Sequence, residues 1–132
     1  MRQIIFRGKL LYSETEWIEG NLIIARDGQP YIIPFDIFEP YGHHLIINSD
    51  NPFYVKPETV SQFTGMVDKN NKLIFENDIC SQEQSINGFV RFDHGWAIDY
   101  DTHSHDMPQY YCDYLEIIGN RFDNAEMLDD NC

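Results

Sequence analysis

Apolar residues recur at every second position through much of this chain, and Gly, Asn, Asp and Pro cut the runs into short pieces. That period is the one a strand with a single buried face requires. In "RQIIFRGKLLY", Ile4 and Phe6 alternate with Ile5, Arg7 and Lys9, and "WIEGNLIIA" returns as a second strand after the polar "SETE". Asp27-Gly28 between apolar runs predicts a hairpin, in the type I′ form, which needs φ > 0 at both central residues. "PYIIPFDIF" reads as a third strand. Pro30 and Pro34 lack the N–H that a ladder uses, which places this strand at an edge or breaks it with a bulge. "EPYGHH" reads as a turn, and "LIINSDNPFYV" as a short strand, a polar loop and another extended piece.

The period changes once. In "KPETVSQFTG" the residues predict a helix of about two turns: Pro57 suits the first helical position, Glu58 the positive helix start, Val60 and Phe63 one face, and Gly65 a left-handed stop. "MVDKNNKLIFENDIC" then reads as a hairpin around "DKNN". In "INGFVRFDHGWAIDYD", Asn87-Gly88 and "DHG" are read as turns, "FVRF" and "WAIDY" as strands. "DTHSHDMPQ" reads as a polar loop and "LEIIG" as a strand. Asp123 with Glu126 three later resembles a capping box and predicts a terminal helical turn, after which the chain frays. Phe6, Trp17, Phe63, Phe75, Phe92 and Trp96 fall on the presumed inward faces. The reading is a mainly β protein, a single domain over residues 1–132 with a soft division near residues 51–56. An antiparallel meander comes first, and a small β body with one or two short helices follows.

Composition supports a folded chain. Hydrophobic residues make up 42% and aromatics 14%, enough apolar surface for a core. No apolar run approaches the ~20 residues that span a bilayer, so no membrane is expected. Arg7 and Lys9 interrupt the apolar start, which does not read as a signal peptide. Net charge is -13. The acid is concentrated late: residues 1–66 carry 5 basic and 8 acidic side chains, residues 67–132 carry 4 and 14. Such a surface repels phosphate backbones and anionic lipid, which disfavours nucleic-acid binding outside a local patch near Arg2, Arg7, Lys9 and Arg26. Cys80, Cys112 and Cys132 form no dense or paired set, which points to a reducing cytoplasm. Cys80 and Cys112 sit in apolar contexts as small hydrophobes, and Cys132 ends the chain.

One segment is dense in metal-capable groups, "DHGWAIDYDTHSHD", with His94, Asp99, Asp101, His103 and His105. A carboxylate–imidazole set of this kind holds Zn²⁺, Mn²⁺ or Ni²⁺ when it converges. Its spacing matches no motif with a mechanism, so a solvated hairpin and loop is the favoured reading and no cofactor is assigned. His43-His44 reads as part of a turn. No serine stands in a G-x-S-x-G setting, and no P-loop or dinucleotide fingerprint exists, so no catalytic residue is assigned. Asp78, after "EN", reads as a carboxylate satisfying N–H groups of its own turn. Tyr100, Tyr110, Tyr111 and Tyr114 flank the acidic loop and are candidates for an interaction rim, with ordinary half-buried strand tyrosines as the competing reading.

Several ordered pieces resemble the YopX family of phage- and prophage-encoded proteins: "MRQIIFRGK" at the start, "WIEGNL", "KPETVSQFTGMVDKNNKLIFENDI", and "EIIGNRFDNAEML" near the end. Asn71 and Asn77 stand where the family usually has Gly, and Ala125 where it has Pro. Asn tolerates φ > 0 better than other non-glycine residues, so both turns can keep their geometry. The resemblance implies a β-rich fold whose C-terminal part is similar to an SH3-like barrel, a place in the cytoplasm of a bacterial host, and self-association. It implies no reaction and carries over no catalytic residue. The resulting expectation is a non-enzymatic accessory protein, a homo-oligomer that also binds a host or phage protein. The alternatives are nucleic-acid binding through the barrel, an acidic DNA mimic, and a metal-dependent hydrolase using the His/Asp loop.

Overall fold

The computed structural model describes residues 3–35, 53–82, 86–101 and 103–129. The chain falls into two units, Gln3–Gln62 and Phe63–Cys132. The expectations for residues 36–52, including the end of the third strand and the turn with His43 and His44, lie outside the described residues, as do those for Arg2 and Cys132.

The first unit is the expected antiparallel meander. Strands β1 (Phe6–Lys9), β2 (Trp17–Ile24) and β3 (Pro30–Pro34) pair in sequence, with Phe6 opposite Gly20 and Ile24 opposite Pro30. β3 ends the strand order, where its two prolines leave no central ladder unsatisfied. Its outer side is not bare: Ile32 N–H donates to Phe53 O (3.0 Å) and Val55 N–H to Pro30 O (3.1 Å). The Asp27-Gly28 hairpin differs from expectation in its turn type. Gly28 alone has φ > 0, at 93°, so the turn is not type I′. The Asp27 carboxylate accepts the Gln29 N–H (2.9 Å), which holds the corner with a single left-handed residue.

The helix expected over residues 56–65 is corrected. Pro57–Thr59 forms one 3-10 turn, and Val60 is already extended. Strand β4 (Ser61–Val67) follows, beginning beside β1 with Gln62 opposite Phe6. Ser61 and Phe63 are both buried at a period of two. A helix of two turns is too short to support itself, and the backbone gains ladder partners as a strand instead. Gly65 does take φ of 89°, but inside β4, where the register slips between Phe63↔Phe75 and Val67↔Leu73. The glycine serves a bulge rather than a helix stop.

In the second unit β4 pairs with β5 (Leu73–Phe75), and the chain turns through Glu76-Asn77 into a second five-stranded sheet. That sheet contains β6 (Asp78–Gln82), β7 (Ile86–Phe92), β8 (Trp96–Asp99), β9 (Ser104–Asp106) and β10 (Leu115–Asn120), in the order β10-β6-β7-β8-β9. A helical turn, α1 (Gln109–Cys112), precedes β10, and α2 (Glu126–Asp129) follows it. A meander whose last strand returns beside its first is the arrangement expected of an SH3-like body. Its core gathers Ile74, Cys80, Val90, Ile98, Tyr100, Met107, Cys112 and Leu115.

Two turn residues behave as anticipated and one pair does not. Asn71 and Asn77 have φ of 65° and 72°, so asparagine occupies the left-handed positions. Asn87-Gly88, expected as a turn, lies within β7 opposite Ser81 and Cys80. Gly88 is there for close approach: a Cβ would sit 2.7 Å from Asp99 O. Phe92, placed inward by its alternation with Val90, is 58% exposed, because β7 ends there and the ring leans edge-on against Trp96 at 5.0 Å.

Candidate functional site

The second unit carries an open groove of about 860 Å³, lined by β4, the β8 start, β9 and the segment leading into α1. Met66, Trp96 and Pro108, each half-buried, supply apolar surface and Met107 borders it from the core; Thr64, Ser104, His105 and Asp106 supply polar groups. Each is placed by a local cause. The β4 bulge at Gly65 turns Thr64 and Met66, and the Thr64 hydroxyl donates to Ile74 O (2.8 Å). The "DHG" turn, closed by Asp93 N–H to Gly95 O (2.8 Å) with His94 at φ 63°, starts β8 at Trp96. Met107 N–H donates to Trp96 O (3.3 Å), which fixes the end of β9 against that tryptophan.

One neighbouring contact shows how β4 is finished. The Gln109 side-chain amide accepts the Val67 N–H (3.1 Å) and donates to Val67 O (2.9 Å). A single amide thus takes the place of a partner strand at that residue.

The metal-capable residues do not converge. Among the described residues no three His, Cys, Asp or Glu side chains form a metal-holding group. His94 projects from its turn, 97% exposed, 3.6 Å from Asp93. Asp99 is engaged by Arg91 and accepts the Ser104 hydroxyl. Its hydrogen bond with Asp99 comes first among the causes that push the Arg91 guanidinium pKa up, ahead of that with Asp93. Asp101 is exposed. His103 leans on the Tyr100 ring (5.0 Å), and His105 stacks on Tyr111 at 3.9 Å. His105 Nδ1 lies 2.6 Å from Asp106 O; because a carbonyl can only accept, Nδ1 carries the proton.

The four tyrosines divide into two pairs. The Tyr100 and Tyr111 hydroxyls are hydrogen-bonded at 2.6 Å, and both lie near Gln82 Oε1. Burial, then the Tyr111 hydroxyl, raises the Tyr100 pKa far above the usual phenol range. Tyr110 and Tyr114 instead stand 71% and 61% exposed, and only Tyr110 lines the groove. Cys80 and Cys112 are both buried, as expected of small hydrophobes. Burial, with Asp113 nearby, pushes the Cys112 thiol up to about 11.

Sequence reasoning did not single out Met66, Met107, Pro108 or Gln109. Apolar residues inside a segment read as a polar loop were the available signal for Met107 and Pro108. Nothing local distinguishes Met66 or Gln109, because the neighbours that define their roles are about 40 residues away in the chain. Among the described residues no helix is long and apolar enough to cross a membrane.

Comparison with known proteins agrees with the architecture. The crystal structure of protein EF1440 from Enterococcus faecalis is similar over 97% of this chain and 99% of that one, with a TM-score of 0.59 at 20% sequence identity, a likeness of fold. No curated protein matches the sequence. The family model described as "YopX protein" matches residues 13–129, most of the length, and on that match the chain belongs to the YopX family.

Proposed function

We propose that the protein acts by binding another protein, as a non-enzymatic accessory of a phage or prophage in the bacterial cytoplasm, and that the groove of the second unit is the surface it uses. The observation that carries this reading is a half-buried apolar floor, Met66, Trp96 and Pro108, beside the edge strand β9. Apolar surface with a polar rim, including the half-buried Met66 and an exposed Tyr110, has the chemistry of a recognition patch. The neighbouring polar groups favour binding over reaction. The Ser104 hydroxyl is turned to Asp99 rather than to a histidine. The buried Cys112 and Tyr100 hold their protons, which makes them poor nucleophiles.

The test is capture from the host bacterium with the wild-type chain and with Met66→Glu, after circular dichroism shows both folded. A co-purifying protein retained by the wild type and lost by the variant supports the groove. An identical set captured by both chains refutes it.

Self-association is a second reading, favoured by a different observation. The first unit leaves Ile4, Ile24 and Phe35 more than half exposed. Light scattering across a concentration series should show mass rising above that of one chain. A monomer throughout removes this reading and leaves the groove proposal standing.

A further inference from the structure

The floor of the groove is apolar, and the part of the chain that builds it is rich in acid. From Phe63 onward the chain has 4 basic and 14 acidic residues, and among the described residues no Lys or Arg lines the groove. Three of those four cations are engaged elsewhere. Arg91 bridges Asp93 (3.1 Å) and Asp99, Lys69 lies 3.7 Å from Glu116, and Arg121 covers the Phe89 ring at 4.0 Å while donating to Asn77. Asp106 on the groove wall is exposed and has no cation within salt-bridge distance among the described residues. Asp106 is the carboxylate among the described lining residues, in a half of the chain whose net charge is strongly negative.

The wall also has a directional element. β9 ends the strand order, with His105 opposite Ile98. Tyr100 N–H donates to His103 O and Met107 N–H to Trp96 O, so residues 103 and 107 turn their backbone towards β8. Alternation then turns the backbone of Ser104 and Asp106 outward, away from β8. An extended chain laid there would send successive side chains to opposite sides, one set to the apolar floor and the other to the acidic rim.

We infer that the groove takes an extended segment of another protein that alternates apolar residues with lysine or arginine, its apolar side chains on Met66, Trp96 and Pro108 and its cations towards Asp106. This rests on the reading that the groove binds protein. A second copy fits poorly, because it brings the same acidic excess to the contact. The His105 imidazole covers the Asp106 carbonyl, so the incoming backbone meets Ser104 first and displaces that ring to reach Asp106.

The probe is a fluorescein-labelled peptide alternating lysine with valine, followed by anisotropy against the full chain. Peptides alternating glutamate with valine and lysine with serine serve as comparators. The expected result is saturable binding of the lysine–valine peptide alone, weakened about tenfold by Asp106→Lys. In a Trp17→Phe background, Trp96 fluorescence should change on binding. Equal binding of the lysine–serine peptide, with no effect of Asp106→Lys, would mean diffuse charge attraction and overturns the inference. Binding of the glutamate–valine peptide instead, lost in Met66→Glu, overturns the charge assignment but keeps the groove as a protein site. Binding of no peptide, with host capture still dependent on Met66, overturns the extended basic segment alone. A dimer strengthened by Asp106→Lys makes a second copy the occupant and overturns it too.

Discussion

Replacing Asp68 by alanine should remove the clasp that ties the "DKNN" turn to β10. The side chain is 2% exposed, yet the residue sits in a turn. Its Oδ1 accepts the N–H groups of Asn70 (2.8 Å) and Lys72 (2.9 Å), and its Oδ2 accepts that of Ile117 (2.9 Å), which lies 49 residues away. Hydrogen bonds to a charged acceptor contribute about 1.5–3 kcal/mol each. The Asn70 and Lys72 donors belong to exposed residues of the turn, and water can replace their partner. The Ile117 donor lies in a half-buried strand and loses its partner outright. The expected cost of Asp68→Ala is therefore about 3–5 kcal/mol, below the sum of three bonds. Asp68→Asn keeps one acceptor oxygen but sets an NH₂ against a backbone donor, and should cost about half as much. Urea unfolding followed by tryptophan fluorescence reads both. With a slope of about 2 kcal/mol/M, the alanine midpoint should fall by about 2 M. A loss under about 1 kcal/mol for alanine, or an asparagine variant as damaged as the alanine one, would refute the reasoning.

Gly88→Ala should destabilise the protein by about 3 kcal/mol or more, since its Cβ would lie 2.7 Å from the Asp99 carbonyl oxygen, and thermal unfolding reads this directly. Asn71→Gly should stabilise by up to about 1 kcal/mol, because φ of 65° costs asparagine something and glycine nothing. Asn77→Gly should gain less, because it also loses the side-chain oxygen that accepts from Arg121 (3.2 Å); a larger gain at position 77 would contradict this. At alkaline pH the unfolded chain gives up the Cys112 proton before the folded one does. Stability from this group is complete below pH 9 and is lost as pH rises from 9 towards about 11, with Tyr100 adding a further fall above pH 10. Cys112→Ala should flatten the first part of the pH profile of unfolding and Tyr100→Phe the second; an unchanged slope in both would show that burial does not hold these protons.

Legibility along the chain followed the range of the forces involved. Strand positions in "RQIIFRGKLLY", "WIEGNLIIA" and "LEIIG" could be read locally, because a one-sided sheet imposes a period of two. Pro30 and Pro34 announced an edge for the same local reason, a missing donor. Asp78 was readable because its partner, the Phe75 N–H at 2.8 Å, is three residues away. Residues 56–65 misled because Pro57, Glu58 and Gly65 are each good helix-boundary residues. The deciding partners of that segment are β1 and β5, which local spacing does not reveal. Gly88 misled in the same way: Asn-Gly reads as a turn, while its actual constraint is the backbone of Asp99 on the next strand.

The sequence by itself determined the β character of the chain, its acidic later half, its left-handed asparagines and its family, since all of these reside in composition, nearest-neighbour geometry or ordered motifs. Tertiary structure alone decided that Asp68 is a clasp and that Tyr100 and Tyr111 share a hydrogen bond. It also decided that the dense histidine–aspartate segment scatters instead of converging, and that Met66, Trp96 and Met107 line one open groove. Those outcomes depend on which distant backbone and side-chain groups arrive at the same place, and hydrogen bonding and packing act at a few ångströms whatever the separation along the chain.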